Sequence, residues 1–275
     1  MRAMRSTFLR ASVLVAAVAA VLALGLPLAS AAQINDGTTR HKTHATGGRS
    51  RLGADLPPET APTIAGVYAR SEPSSAPSLL VGITHNFAMR ARPGQGRVVG
   101  ILPAGSKYYR TPTVAWVQRV SLDGRFGELA VPYSATGTMG WIPLRGLQHR
   151  STFLQVDVDL SRHRVVVERR GRVLFGTRAA IGSPSSPTPT GRYFVTDRVS
   201  FPSGGALGTY AFGISGIQPN LPNGWTAGNQ LAIHGTNDPG SIGRSVSAGC
   251  VRVSAAALRR LVPLLRLGTP VVIHP

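Results

Sequence analysis

Residues 254–265, SAAALRRLVPLL, are the one stretch beyond residue 63 with a good helical pattern. Ser254 stands where an N-cap is wanted. Pro263 limits the helix, because proline has no N–H to donate and its ring collides with the preceding turn. The rest of the chain from residue 66 onward is short apolar runs broken by Gly, Pro and Asn. Alternation at period two buries one face of a strand and wets the other. A chain built this way is expected to be mainly β, with one helix.

Two units are expected. In residues 66–148, FAMRARPGQGRVVGILPAG alternates around Pro93-Gly94, and VAWVQRVSLDGRFGELAVPY turns at Asp123-Gly124, a hairpin signal. The order AWVQR, DGR, GWIPL resembles a bacterial SH3-like module, a small β-barrel suited to wall binding. Trp116, Tyr133 and Trp141 are candidates for a ligand groove there, with core packing the more ordinary use of such side chains. In residues 153–275, TFLQVDVDLSRHRVVVERRGRVLFGTRAAIG reads as a meander turning near Ser161-Arg162 and Arg170-Gly171. NQLAIHG reads as a buried strand and GTPVVIHP as the last one. Residues 200–228 are dense in Gly, Pro and Asn and read as one long loop, the kind that serves as a lid or substrate wall.

The N-terminus predicts export. MRAMRSTFLR is basic, an apolar run of about 18 residues follows, and Ala29-Ser30-Ala31 fits a cleavage site, the layout of a secretory signal over 1–31. If the signal is not cleaved, it would be a membrane anchor. Residues 32–63 are polar, without a hydrophobic period, and read as a flexible tether. His41 and His44 lie in it and are read as solvated, not as a metal pair. Lys and Arg number 30 against 11 Asp and Glu, a net charge of +19. For an exported protein that balance points to anionic cell-wall polymers, or simply to an arginine-rich surface. With aromatics at 6% and no binding motif, nucleic acid is not expected as a partner.

The chain has one cysteine, Cys250, so no internal disulfide can form. His234 lies sixteen residues before it, at the end of a predicted strand. A strand–loop–strand return would bring the two side by side. A thiol attacks carbonyls only as thiolate, and an adjacent imidazole can take the proton to leave an ion pair. Gly249 would clear the approach of a substrate carbonyl, and N–H groups near Gly249 and Cys250 would hold the oxyanion. Gly235 has no side chain to orient His234, so a backbone carbonyl would have to fix its tautomer. Chance also places lone cysteines near histidines, and residue chemistry alone leaves that open.

The segments His234-Gly235-Thr236 and Ser247-Ala248-Gly249-Cys250-Val251-Arg252, with TPTGRYFV at 188–195, GTPVVI at 268–273 and ALGTYAFGISG at 206–216, closely resemble the L,D-transpeptidase catalytic domain of the YkuD type. The resemblance covers roughly 153–275. It implies a β-sandwich or barrel with one helix. It also implies an acyltransferase acting on peptidoglycan stem peptides, with no cofactor and no metal. Cys250 would be the nucleophile and His234 the base, with Ser247 and Gly249 shaping the catalytic loop. Arg252, Gly235, Thr236 and Tyr210 would lie on the substrate side, Arg252 gripping a carboxylate or else serving a structural salt bridge. The terminal D-alanine of a tetrapeptide would leave, and a neighbouring stem amine would close a 3→3 cross-link. Water as acceptor would make the same residues a carboxypeptidase. Carbapenems would acylate the thiol. Many members carry His where this chain has Ala248, so any support from that second histidine is lost here. Sortases and papain-like wall endopeptidases fit less well, since their His, Cys and Arg are spaced or ordered differently. A non-catalytic wall-binding protein is the alternative of another class, and it requires an inert Cys250.

Overall fold

A computed structural model describes residues 75–135, 137–226 and 228–275. The export signal, the tether with His41 and His44, and the first residues of the 66–148 unit lie outside the described residues. The described residues form one compact unit.

The first part holds eight short strands. They are β1 (Ser78–Gly82), β2 (Phe87–Arg92), β3 (Gln95–Leu102), β4 (Val114–Val117), β5 (Arg119–Val120), β6 (Phe126–Ala130), β7 (Met139–Pro143) and β8 (Gln148–Thr152). They make two sheets, β4-β1-β8 and β3-β2-β7-β6-β5. The turns fall where the sequence puts them, at Pro93-Gly94 between β2 and β3 and at Asp123-Gly124 between β5 and β6. Leu80, Val81, Met89, Val117, Leu129 and Ile142 belong to the buried core of this part. Trp116 is core, 4% exposed. Trp141 is half-buried beneath Arg119, whose guanidinium lies 5.7 Å from its ring. Tyr133 is also half-buried, and its backbone N–H donates to Ser215 O at 2.7 Å.

The second part runs β9 (Leu154–Asp159), β10 (Arg164–Arg169), β11 (Arg172–Gly182), β12 (Gly191–Ser200), β13 (Tyr210–Ile217), β14 (Gln230–His234), β15 (Ser245–Ser247), β16 (Val251–Val253), α1 (Ala255–Leu264) and β17 (Pro270–His274). The strand order is β10-β9-β17-β12-β13-β14-β16-β11-β15, and a further β10–β11 pairing closes the sheet on itself. Closure leaves fewer unpaired edges. Alternation decides the inside: Val156, Val158, Val165 and Val167 point into the core, while Asp157 and Asp159 between them do not. The core also holds Phe212, Ile233 and Val253, together with Leu258 and Leu261 of α1. Truncating a fully buried leucine such as Leu261 typically costs about 2–5 kcal/mol.

One expectation changes. The 200–228 stretch is not one loop: β13 runs through its middle, because Phe212 and Ile214 bury on one core while its glycines fill close contacts. Pro263 limits α1 as expected: it sits inside the last turn, and the helix ends at Leu264. The proline forgoes a single intrahelical bond at that place, and Leu265 N still donates to Leu261 O at 2.9 Å. The Ser254 cap is as expected, its Oγ accepting from Ala257 N at 3.2 Å.

The two parts share apolar surface. Phe194 of β12, 1% exposed, packs in the first part's core, and Arg192 lies 4.7 Å over the Trp116 ring.

Candidate active site

β14 and β16 lie side by side and parallel, with Ile233 opposite Val251 and His234 opposite Arg252. Ile233, Val251 and Val253 point into the core. Alternation therefore turns His234 and Arg252 to the other face, with Cys250 one residue ahead of β16 on the same side. These three line one cavity of about 90 Å³ with Gln218, Trp225 and Leu207. Cys250 is half-buried, and its Sγ donates to the Gln230 carbonyl at 3.9 Å. The strand–loop–strand return expected from the sequence thus brings the thiol, the imidazole and the guanidinium together.

His234 is 3% exposed. Its Nδ1 lies 2.5 Å from Gly235 O. A carbonyl can only accept, so Nδ1 carries the proton and Nε2 is the basic nitrogen. A backbone carbonyl does fix this ring, and it belongs to Gly235 itself. Burial pushes the His234 pKa down to about 4, helped by the charge of Arg252; the Gly235 and Leu207 carbonyls pull the other way. Burial also pushes the Cys250 thiol up, against a backbone hydrogen bond with Ala232 and the Arg252 charge. Both groups are therefore neutral at neutral pH. Burial disfavours the charged form of each group, which opposes the thiolate–imidazolium pair expected from the sequence.

The catalytic loop is held from below. Ser247 Oγ donates to Cys250 O at 2.6 Å and accepts from Gly249 N at 3.1 Å. Thr188 Oγ1 donates to Gly249 O and accepts from Gly182 N, both at 2.8 Å. Two expectations about Gly249 are corrected here. Its N–H is already engaged by Ser247, so it is no oxyanion donor. Its missing side chain makes room for Gln218 rather than for substrate: φ is +115°, and a Cβ would meet the Gln218 amide. That amide in turn donates to Pro187 O at 2.8 Å and Ser186 O at 3.2 Å, tying the 183–190 loop under Cys250.

Gly235, Thr236 and Tyr210 do not line the cavity, contrary to their expected substrate-side place. Gly235 lies against Gly208, whose Cβ, were it present, would stand 2.6 Å from the Gly235 Cα. Their contact seats the 205–208 turn on the histidine strand. Thr236 Oγ1 accepts from Asp238 N at 3.0 Å and closes a turn. Tyr210 packs on Phe212, ring centroids 5.1 Å apart, and its carbonyl accepts from Gly235 N at 3.2 Å.

Gln218, Trp225, Asn229 and Gln230 line the cavity and were not singled out by sequence. Polar residues in a Gly- and Pro-rich stretch carry no period; the one available signal was the length of that stretch. Behind them lies Asp197, fully buried. Its Oδ1 accepts from Ser106 Oγ at 2.5 Å and Thr111 Oγ1 at 2.8 Å; its Oδ2 accepts from Thr196 Oγ1 at 2.8 Å and Gln230 Nε2 at 3.1 Å. At the rim, Tyr108 Oη donates to Asn229 Oδ1 at 3.2 Å. The β1–β8 part thus supports the cavity wall directly.

Comparison with known proteins agrees with this layout. Residues 154–273 match the model of the YkuD family, the L,D-transpeptidase catalytic domain. The YkuD protein of Bacillus subtilis (strain 168) is 29% identical over 119 residues, which is 43% of this chain and 65% of that protein. The YkuD protein of Bacillus licheniformis is 29% identical over 135 residues, 49% of this chain and 74% of that one. The chain thus spans just under two thirds of the B. subtilis protein's length. Among solved structures, an L,D-transpeptidase from Mycobacterium smegmatis is 18% identical, covering 71% of this chain and 99% of that one, with a TM-score of 0.38. The LD transpeptidase LdtMt1, in complex with imipenem, is 16% identical over 62% of this chain and 98% of that one, with a TM-score of 0.39. The segment that matches the YkuD model, the L,D-transpeptidase catalytic domain, is the one that sets His234, Cys250 and Arg252 around one cavity.

Proposed function

We propose that the chain is an extracytoplasmic peptidoglycan L,D-transpeptidase with Cys250 as nucleophile. The observation that carries this reading is the single thiol sharing one cavity with a buried, tautomer-fixed His234 and with Arg252. Family membership of residues 154–273 supplies the reaction class, an acyl transfer. The basic, apolar, small-residue N-terminus supports export.

The chemistry follows from the protonation states. The thiol and imidazole are both neutral at rest, so His234 Nε2 takes the thiol proton as sulfur attacks the stem carbonyl. The carbon–sulfur bond forms, and the tetrahedral oxygen takes the negative charge. With Gly249 N–H engaged by Ser247, the Cys250 N–H is the remaining one of the two expected donors to hold it. The imidazolium then protonates the departing D-alanine amine, leaving a thioester. A neighbouring stem's side-chain amine attacks, His234 takes its proton, and the thiol is released as the 3→3 bond forms. Arg252 has no carboxylate partner among the described residues, which suits it to grip a substrate carboxylate. The same cavity would admit a carbapenem to the thiol.

The test is mass spectrometry of muropeptides after incubating residues 32–275 with disaccharide-tetrapeptide, beside Cys250→Ala. Dimers lacking one D-alanine, absent with the variant, are expected. Tripeptide without dimers would make water the acceptor and the enzyme a carboxypeptidase. Unchanged substrate, with a folded protein whose thiol ignores carbapenems, would leave a wall-binding protein.

A further inference from the structure

A cleft much larger than the one at Cys250 lies elsewhere among the described residues. It has a volume of about 750 Å³ and lies where β8 and β9 meet the C-terminal end of α1. Four arginines line it: Arg150, Arg169, Arg170 and Arg266. No carboxylate lines it. They arrive from separate segments. Arg150 stands on β8 opposite Leu80, and Arg169 ends β10 opposite Leu154. Arg170 forms the β10–β11 turn, and Arg266 follows α1. All four are exposed, and none makes an ion pair among the described residues.

Like charges converge at a cost unless something neutralises them, and nothing lining this cleft does. The backbone adds a second, independent observation. Arg170 has φ +55°, a conformation that β-turns normally assign to Gly or Asn. Its guanidinium nonetheless lies 4.2 Å from the Phe153 ring centroid, at the cleft. A strained residue held against an aromatic face is a positioned one. The other basic concavity, about 360 Å³ around Arg162, Arg164 and Arg178, lacks both features: Asp159 lies 3.5 Å from Arg162, and its arginines crowd Gly176 and Gly243.

We infer that this cleft binds a linear phosphodiester polyanion, a polyol-phosphate chain, independently of the chemistry at Cys250. Guanidinium forks match phosphate oxygens two at a time. Four of them spread along an open cleft suit successive phosphates on one chain better than a single headgroup. The site shares none of the lining residues of the cavity at Cys250. It would hold the enzyme to an anionic polymer while the thiol works on the stem peptide.

The test is fluorescence anisotropy of end-labelled poly(glycerol phosphate) titrated with the full chain at fixed low salt. Arg169→Gln/Arg266→Gln and Arg150→Gln/Arg170→Gln are each expected to weaken binding about ten-fold or more, since hydrogen bonds to charged groups are individually strong. Arg97→Gln/Arg145→Gln removes the same charge from exposed positions outside the cleft and is expected to change binding less than about two-fold. Unchanged melting temperatures show that each variant is folded. Equal weakening by the control pair would mean diffuse surface charge and overturn the site. Cleft-dependent binding to phosphatidylglycerol vesicles without binding to the polymer would make the ligand a lipid headgroup and overturn the polymer assignment.

Discussion

Gln230 and Asp197 join the two halves of the molecule at the thiol. The Gln230 amide donates to Asp197 Oδ2 at 3.1 Å, while its own carbonyl accepts from Cys250 Sγ at 3.9 Å. The other carboxylate oxygen, Oδ1, takes Ser106 and Thr111 from the β1–β8 part. Asp197 accepts at both oxygens, so an amide there points an N–H at a donor. Asp197→Asn is expected to cost roughly 3 kcal/mol in urea unfolding. Ser106→Ala, which removes one donor, should cost about 1 kcal/mol. Cys250 alkylation should also speed up or slow down in Asp197→Asn under conditions where the protein is fully folded. An unchanged alkylation rate would disconnect Asp197 from the site.

The resting thiol should be uncharged. Burial raises the Cys250 pKa, and His234 is too weak a base at rest to hold the proton. The folded protein at pH 7 is expected to show no ultraviolet thiolate band beyond that of Cys250→Ala. The chain's lone cysteine makes this difference clean. A strong thiolate band at pH 7 would restore the ion pair.

Acid stability should depend on His234. Its folded pKa, about 4, lies below the ordinary 6.5. Between those values the unfolded chain binds a proton that the folded chain refuses, so stability falls as pH drops from 6.5 towards 4. Above 6.5 this group contributes its full share and no slope. The loss across that window is roughly 3 kcal/mol. His234→Gln, neutral throughout, should lack this component. Urea midpoints of both proteins from pH 7 to pH 4 check it, and parallel curves would refute it.

Gly249→Ala should be among the most damaging single-methyl changes in the chain. The position has φ +115°, and the new Cβ would run into the Gln218 amide. Strain and overpacking together predict a loss of about 2–5 kcal/mol. Gln218→Ala in the same chain should recover the steric share and leave the backbone share. Double-mutant analysis by urea unfolding measures the split, and no recovery would mean that backbone strain alone decides.

Much of the architecture was readable from local pattern. Alternating valines at 156, 158, 165 and 167 marked β9 and β10, and Ser254 marked the start of α1, because one residue's neighbours along the chain decide period and cap. The order of His234, Gly249, Cys250 and Arg252 pointed to the candidate site for the same reason. What the sequence by itself determined, then, were the elements and the chemistry carried on them. Tertiary structure alone decided that β13 runs through the glycine-rich stretch, that Gly249 yields to Gln218, and that Asp197 answers Ser106 across 91 residues. It alone buried Cys250 and His234 around one cavity and gathered four arginines from separate segments into one cleft. Those outcomes depend on contacts between distant parts of the chain and on desolvation in the closed fold, which no local window records.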